Sequence, residues 1–182
     1  MTDTVFVAPP GFDAEGFRLR AQRHDPEHAF GPEPAHLGHG DHVLNPGLVS
    51  GLVGAKLGGS VDPEDGSVEI AAMREAEEEI GLDRRFVEPV GRLPIYMTTT
   101  GFRITPVLAV VKPGYALTAN PVEVDEVFET PLSFLMNPAN HRRESRVWEG
   151  IERHYYVMPY GEHHIWGVTA GIIRTMYERL YA

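Results

Sequence analysis

The sequence predicts an α+β domain, a mixed sheet with helices packed on it. Three observations carry that expectation. Ile104–Val111 is an almost wholly apolar run of strand length, the pattern of a strand buried on both faces. Ser67–Ile80 and Thr169–Tyr181 show helical spacing of their apolar residues. Strands and helices follow one another without strict βαβ alternation, which argues against a doubly wound parallel sheet.

Taken in order, Phe12–Arg23 reads as a short amphipathic helix that stops before Asp25-Pro26. Pro26–Gly47 is rich in Pro, Gly and His and reads as a loop or irregular arm. His36, His39 and His42 are spaced by three, but Pro34 and Gly40 oppose a helix presenting them together. Solvated loop histidines are therefore the simpler reading over a metal site. Val43–Lys56 is apolar but broken by Gly47, Gly51 and Gly54, and its period does not choose between strand and helix. The helix over Ser67–Ile80 has Gly81 in place as a left-handed cap. Phe86–Leu93 and Ile104–Val111 follow as strands, with Pro106 placed where no ladder donor is needed. Val122–Phe128 alternates valine and acid and reads as a half-buried strand or the approach to one. Pro131–Met136 is a short helix. Ser145–Trp148 and His154–Pro159 flank Glu149-Gly150, a hairpin signal. His163-His164-Ile165-Trp166 opens the last helix, with core the simpler reading of Trp166 over a base-stacking platform, and Ile172, Ile173, Met176 and Leu180 line one side of that helix.

Composition narrows the function classes. The chain has 182 residues, the size of one domain. The division expected within it is an N-terminal helix and arm over 1–56, followed by a domain over 57–182. Its formal net charge is −10, a poor match to polyanionic nucleic acid or an anionic membrane surface. There is no cysteine, which excludes disulfides, thiolate metal sites and a Cys nucleophile and fits a cytoplasmic location. No apolar run reaches the roughly 18 residues of a membrane span, and no signal peptide is expected.

The chemistry concentrates in one helix. Asp62–Glu79 holds eight acids and one base, Arg74, a local net charge of −7. At roughly 100° per residue, Glu75, Glu78 and Glu79 share an arc of about 100°. Met73, Ala76 and Ile80 fall on another side and can face a core. Like charges at i, i+3 and i+4 repel by a few tenths of a kcal/mol, and a helix C-terminus disfavours anions. A solvated acidic face tolerates those costs, whereas a bound cation uses them. Mg²⁺ takes hard oxygen ligands and completes its shell with water and substrate phosphates. Gly58-Gly59 before the helix allows close backbone approach, and Arg74 can hold a neighbouring carboxylate in position.

Gly59-x5-Asp65-x8-Arg74-Glu75-Ala76-x-Glu78-Glu79-x-Gly81-Leu82 resembles the Nudix box of pyrophosphohydrolases. Asp65 stands where Glu is usual, with one extra residue before Arg74, and Ala76 replaces a bulky aliphatic. Both departures resemble the coenzyme A pyrophosphatase branch, as do Gly101–Val107, Glu123–Leu132 and Ile165-Trp166-Gly167. The upstream signature of that branch is missing, and Lys56-Leu57 stands where Phe-Pro is expected. The resemblance implies a Nudix fold, a mixed β-sheet sandwiched between α-helices. It implies Mg²⁺ or Mn²⁺ held by Glu75, Glu78, Glu79 and the Gly59 carbonyl, with Arg74 orienting the glutamates. The implied catalytic residues are Arg74, Glu78 and Glu126, the last as a base from the loop after the box; a charged strand edge is an equal reading of Glu126.

The implied reaction is hydrolysis of a small-molecule diphosphate, above all coenzyme A to 3′,5′-ADP and 4′-phosphopantetheine. ADP-ribose or NADH is the alternative substrate. A weakly active or inactive Nudix-fold module binding a nucleotide or protein is the alternative role. Neither nucleic acid nor membrane is expected as a partner. With only about 56 residues before the box, either Val43–Lys56 supplies a substitute strand or the sheet edge stays open, which predicts a homodimer or a poorly ordered monomer.

Overall fold

In a computed structural model, the structure describes residues 2–8, 53–54, 61–98, 101–124, 127–148 and 150–182. The expected helix Phe12–Arg23 and the histidine-rich arm lie outside them. The larger sheet has the order β2 (Val53–Gly54), β1 (Thr2–Ala8), β5 (Arg103–Val111) and β3 (Val87–Arg92), with β4 (Tyr96–Met97) also on β5. β1 runs parallel to β5, while β2 on β1 and β3 and β4 on β5 are antiparallel. The second sheet is an antiparallel meander of β6 (Arg142–Trp148), β7 (Ile151–Tyr160) and β8 (His163–Trp166). The helices are α1 (Val68–Ile80), the single turn α2 (Leu132–Leu135) and α3 (Gly167–Leu180). The architecture is α+β, as the sequence predicts.

β5 is central, and its alternation divides the core. Val107, Ala109 and Val111 are buried with Val68, Ala72, Ala76 and Ile80 of α1. Ile104 and Leu108 are buried with Ile172, Ile173 and Met176 of α3 and Met158 of β7. A strand that serves two cores needs apolar residues at almost every position, which is why this run carries no polar alternation.

Pro106 shows its effect on the ladder. Leu93 N–H donates to the Pro106 carbonyl at 2.9 Å, and Pro106 has no N–H to return. Pairing on that side of β5 lapses between Arg92 and Tyr96, separating β3 from β4.

The front half corrects an expectation. The neighbour of β5 is Thr2–Ala8, seven residues in parallel register from Thr2↔Ile104 to Ala8↔Val110. Val53–Gly54 does join the sheet, one strand further out, on β1. Both edges of β5 are paired, so the open edge beside it is closed by a segment of the same chain.

Two further corrections concern local structure. Asn120–Val124 forms a turn where a strand is expected: the Asn120 carbonyl accepts from the N–H groups of Glu123 and Val124 at 3.0 and 2.9 Å, and the Asn120 side chain accepts from Val122 N–H at 3.2 Å. Asn before Pro121 favours this self-capping over extension, and only Val124 is buried. His163–Trp166 is a strand on β7, with the register Val157↔Trp166 to Tyr160↔His163. Gly167, at φ 65°, then breaks the extended run and begins α3. Trp166 is 48% exposed, outside the core, with its ring edge-on to Tyr155.

Gly81 closes α1 as predicted, at φ 66°: its N–H donates to the Glu77 carbonyl at 3.0 Å and the Leu82 N–H to the Ala76 carbonyl at 3.2 Å. A Cβ there would also stand 3.3 Å from the main chain of Thr118. Gly81→Ala is expected to destabilise the fold by about 1–2 kcal/mol through left-handed strain and this contact. Thermal denaturation checks it, and an unchanged midpoint would contradict it.

Candidate active site

Ser67 caps α1, its hydroxyl accepting from the Ile70 N–H at 3.2 Å. Glu69 in the first turn complements the positive helix end and is clamped by Arg92 of β3, whose Nη2 donates to Glu69 Oε2 at 2.9 Å. Burial pushes the Glu69 carboxyl up, but the hydrogen bonds and charge of Arg92, together with main-chain and Ser67 hydrogen bonds, leave it below its ordinary value. This clamp fixes the rotation of α1 on the sheet.

The C-terminal end is tied down by the loop after β5. Thr118 N–H donates to the Ile80 carbonyl and Asn120 N–H to the Glu79 carbonyl, both at 2.8 Å. Carbonyls that a helix end leaves without partners are thereby satisfied. The same loop delivers Glu123 close enough to raise the Glu75 carboxyl by repulsion.

Arg74 is the hub. Its Nε and Nη2 fork onto the two oxygens of Asp65 at 2.9 and 3.0 Å. Its Nη1 donates to Glu75 Oε1 at 2.6 Å and to Glu78 Oε2 at 3.0 Å. Asp65 is itself fixed by the Asp62 N–H at 2.8 Å and is buried. The Arg74 hydrogen bond holds the Asp65 carboxyl below the usual range against the opposing effect of burial. The guanidinium, hydrogen-bonded to these carboxylates, stays protonated throughout. Glu75 differs: burial pushes its carboxyl up, and Arg74 offsets this only in part. A half-buried carboxylate held in that state gains from a second cation.

The residues present fit a divalent metal in chemistry. Two carboxylate oxygens from Glu75 and Glu78 already converge on one cationic nitrogen. The donors are hard oxygens, suited to Mg²⁺ or Mn²⁺. Among the described residues no three His, Asp or Glu side chains are grouped as a ready metal cage. Mg²⁺ needs only one or two carboxylates, with water and phosphate completing its shell. Glu79 follows Glu78 on α1 and is buried. Gly59 and Glu126 lie outside the described residues.

The sequence reading assigned Arg74 to Glu75 and missed its stronger partner, Asp65. The signal was present: a lone base inside an acidic run must satisfy several acids. His141 also settles elsewhere. Its Nε2 meets the Leu135 carbonyl at 2.6 Å, and burial lowers its basicity. Arg142, Arg143 and Arg146, the basic residues that follow it in the chain, lie on the exposed strand β6.

The Arg74–Asp65 pair makes stability depend on pH in a definite direction. A carboxyl whose folded pKa lies below its unfolded value stabilises the fold above the unfolded pKa, near 4. That stabilisation is lost as pH falls through the lower folded value. Asp65→Asn is expected to flatten the acid limb of the stability curve, read by denaturant melts between roughly pH 2 and 6. An unchanged acid limb would contradict the pairing.

Comparison with known proteins matches residues 45–152 to the model of the NUDIX domain. A protein of Photorhabdus laumondii described as "Uncharacterized Nudix hydrolase NudL" is 34% identical over 123 residues, 68% of this chain and 66% of that protein. Proteins of the same description from Shigella boydii serotype 4 and Escherichia coli O1:K1 are each 37% identical over 119 residues, 65% of this chain and 62% of theirs. The chain thus spans a little under two thirds of the length of the curated relatives it matches.

Proposed function

The chain belongs to the Nudix family, and on that premise we propose that it is a metal-dependent pyrophosphohydrolase acting in the cytoplasm on a nucleoside diphosphate linked to a second moiety. Coenzyme A or a derivative is the favoured substrate. The observation that carries the reading is the convergence of Glu75 and Glu78 on Arg74 within the box segment. In this reading residues 57–182 carry the chemistry on a sheet layered between α1 and α3, and β1 completes that sheet from the N-terminal segment.

Glu75, Glu78 and Glu79, with the Gly59 carbonyl, would hold Mg²⁺ or Mn²⁺. Such an ion supplies an activated water and neutralises charge developing on the phosphoryl oxygens. Arg74 positions Glu75 and Glu78, and Asp65 positions Arg74. Glu126, in the segment that begins with Glu123, is the candidate base. The coenzyme A preference is supported by the resemblance around the box, through Gly101–Val107 and through Ile165-Trp166-Gly167.

The test is a panel of coenzyme A, ADP-ribose, NADH and nucleoside triphosphates with Mg²⁺ or Mn²⁺. The expected result is cleavage of the diphosphate, fastest for coenzyme A. Faster cleavage of ADP-ribose or NADH would reassign the substrate. No cleavage of any, with tight binding of one, would favour a binding module.

A further inference from the structure

β6 is exposed at all seven of its residues, on both faces of the sheet. Among the described residues it pairs with β7 alone, and none of them covers its other edge. β6 and the start of β7 also expose apolar surface, with Val147 66%, Trp148 54% and Ile151 59% exposed. An open edge of this length is a template for another strand.

The sequence of the edge says which strand fits. β6 reads Arg142-Arg143-Glu144-Ser145-Arg146-Val147-Trp148. Laid antiparallel against itself about a two-fold axis at Ser145, it sets Glu144 opposite Arg146 of the second copy, twice. It sets Arg142 opposite Trp148, a cation against an indole ring, and Arg143 opposite Val147. No like charges face one another directly. Opposite charges across a strand pair stabilise it, and Arg over Trp adds a cation–π contact.

The main chain agrees with that register. Trp148↔Ile151 is the last pair of the ladder, with two residues between its members and Gly150 at φ 76°. In an antiparallel ladder bonded pairs alternate, so Trp148, Arg146, Glu144 and Arg142 bond to β7. The groups of Arg143, Ser145 and Val147 then point to the open edge. A two-fold at Ser145 pairs those same residues, Ser145 with Ser145 and Arg143 with Val147.

One feature of the single chain points the same way. Arg146 stands directly opposite Arg153 in the β6–β7 ladder, a like-charge pair that costs stability. Glu144 from a second copy would lie beside Arg146 and compensate it.

We propose that the chain forms a two-fold dimer by pairing β6 with β6 of a second copy, making one continuous six-stranded sheet. This inference is independent of the proposed hydrolysis.

The chain has no cysteine, so a single introduced thiol reports the contact cleanly. Ser145→Cys is expected to crosslink into one covalent dimer under mild oxidation, because paired Cα atoms about 5.5 Å apart lie within disulfide reach. In sedimentation, wild type is expected to dissociate on dilution as a dimer. Ser145→Pro should weaken the dimer at least about tenfold while keeping the thermal transition, since proline is tolerated where an edge N–H faces solvent. Glu144→Arg should weaken it by about tenfold, and Glu144→Arg with Arg146→Glu should restore it. A wild-type monomer at all concentrations, a dimer indifferent to Ser145→Pro, or a double swap without rescue would each overturn the proposal.

Discussion

Glu78→Gln is expected to lower kcat on the preferred diphosphate by about 10²–10⁴-fold, the range seen when a group acting directly on the reacting atoms is lost. The fold should scarcely notice. Glu78 is 57% exposed and its ion pair with Arg74 is a single i,i+4 contact, worth a few tenths of a kcal/mol. Sequence reasoning expects a slight gain in stability from removing one of three clustered negative charges. The Arg74 contact offsets that gain, so an unchanged melting temperature is expected. Steady-state kinetics with Mg²⁺ beside a thermal melt measure both. Full activity in Glu78→Gln would remove this residue from the reaction.

Arg74→Ala is expected to cost about 3 kcal/mol of stability as well as most of the activity. It strips both guanidinium hydrogen bonds from Asp65, whose side chain is only 5% exposed, and leaves it the Asp62 N–H alone. An ionised carboxylate left buried without its partner carries a penalty of that order. The activity falls for a different reason, because Glu75 and Glu78 lose the group on which they converge. Arg74→Lys should recover little, since an ammonium cannot fork onto both Asp65 oxygens and still reach two glutamates. A double-mutant cycle with Asp65→Asn should show coupling above about 1 kcal/mol. Additive losses would mean that the fork contributes nothing.

Much of this arrangement is legible in the sequence because its causes are local. Helix spacing, Ser67, the acidic run and Gly81 fix α1 to within a residue of its observed bounds. The apolar run at Ile104–Val111 identifies the central strand because burial on both faces leaves no other pattern. The antiparallel pairing of β6 with β7 follows from the turn signal in the sequence between them. Causes distant in sequence stay hidden. Thr2–Ala8 becomes a strand by pairing with β5 about a hundred residues later, and nothing within its seven residues announces the partner. Its short apolar stretch before Pro9-Pro10 was the only signal. His163–Trp166 adjoins a helix in sequence, which suggests a helical form, whereas its pairing with β7 decides that it is a strand. At the site, the order Arg74-Glu75-Ala76-Glu77-Glu78 is written in the chain. The fork onto Asp65 depends on how the loop before α1 folds back, with Asp62 N–H holding Asp65 in place.

Incubation of the wild-type chain with coenzyme A and Mg²⁺, followed by ³¹P NMR with and without a chelator, tests the central claim most directly. Metal-dependent hydrolysis predicts that the paired diphosphate resonances vanish and two new phosphomonoester resonances replace them, and that chelation stops the change until Mg²⁺ is restored. Cleavage that continues at the same rate in excess chelator, or a diphosphate left intact at micromolar enzyme with Mg²⁺ or Mn²⁺ for coenzyme A and the other diphosphates alike, would contradict it.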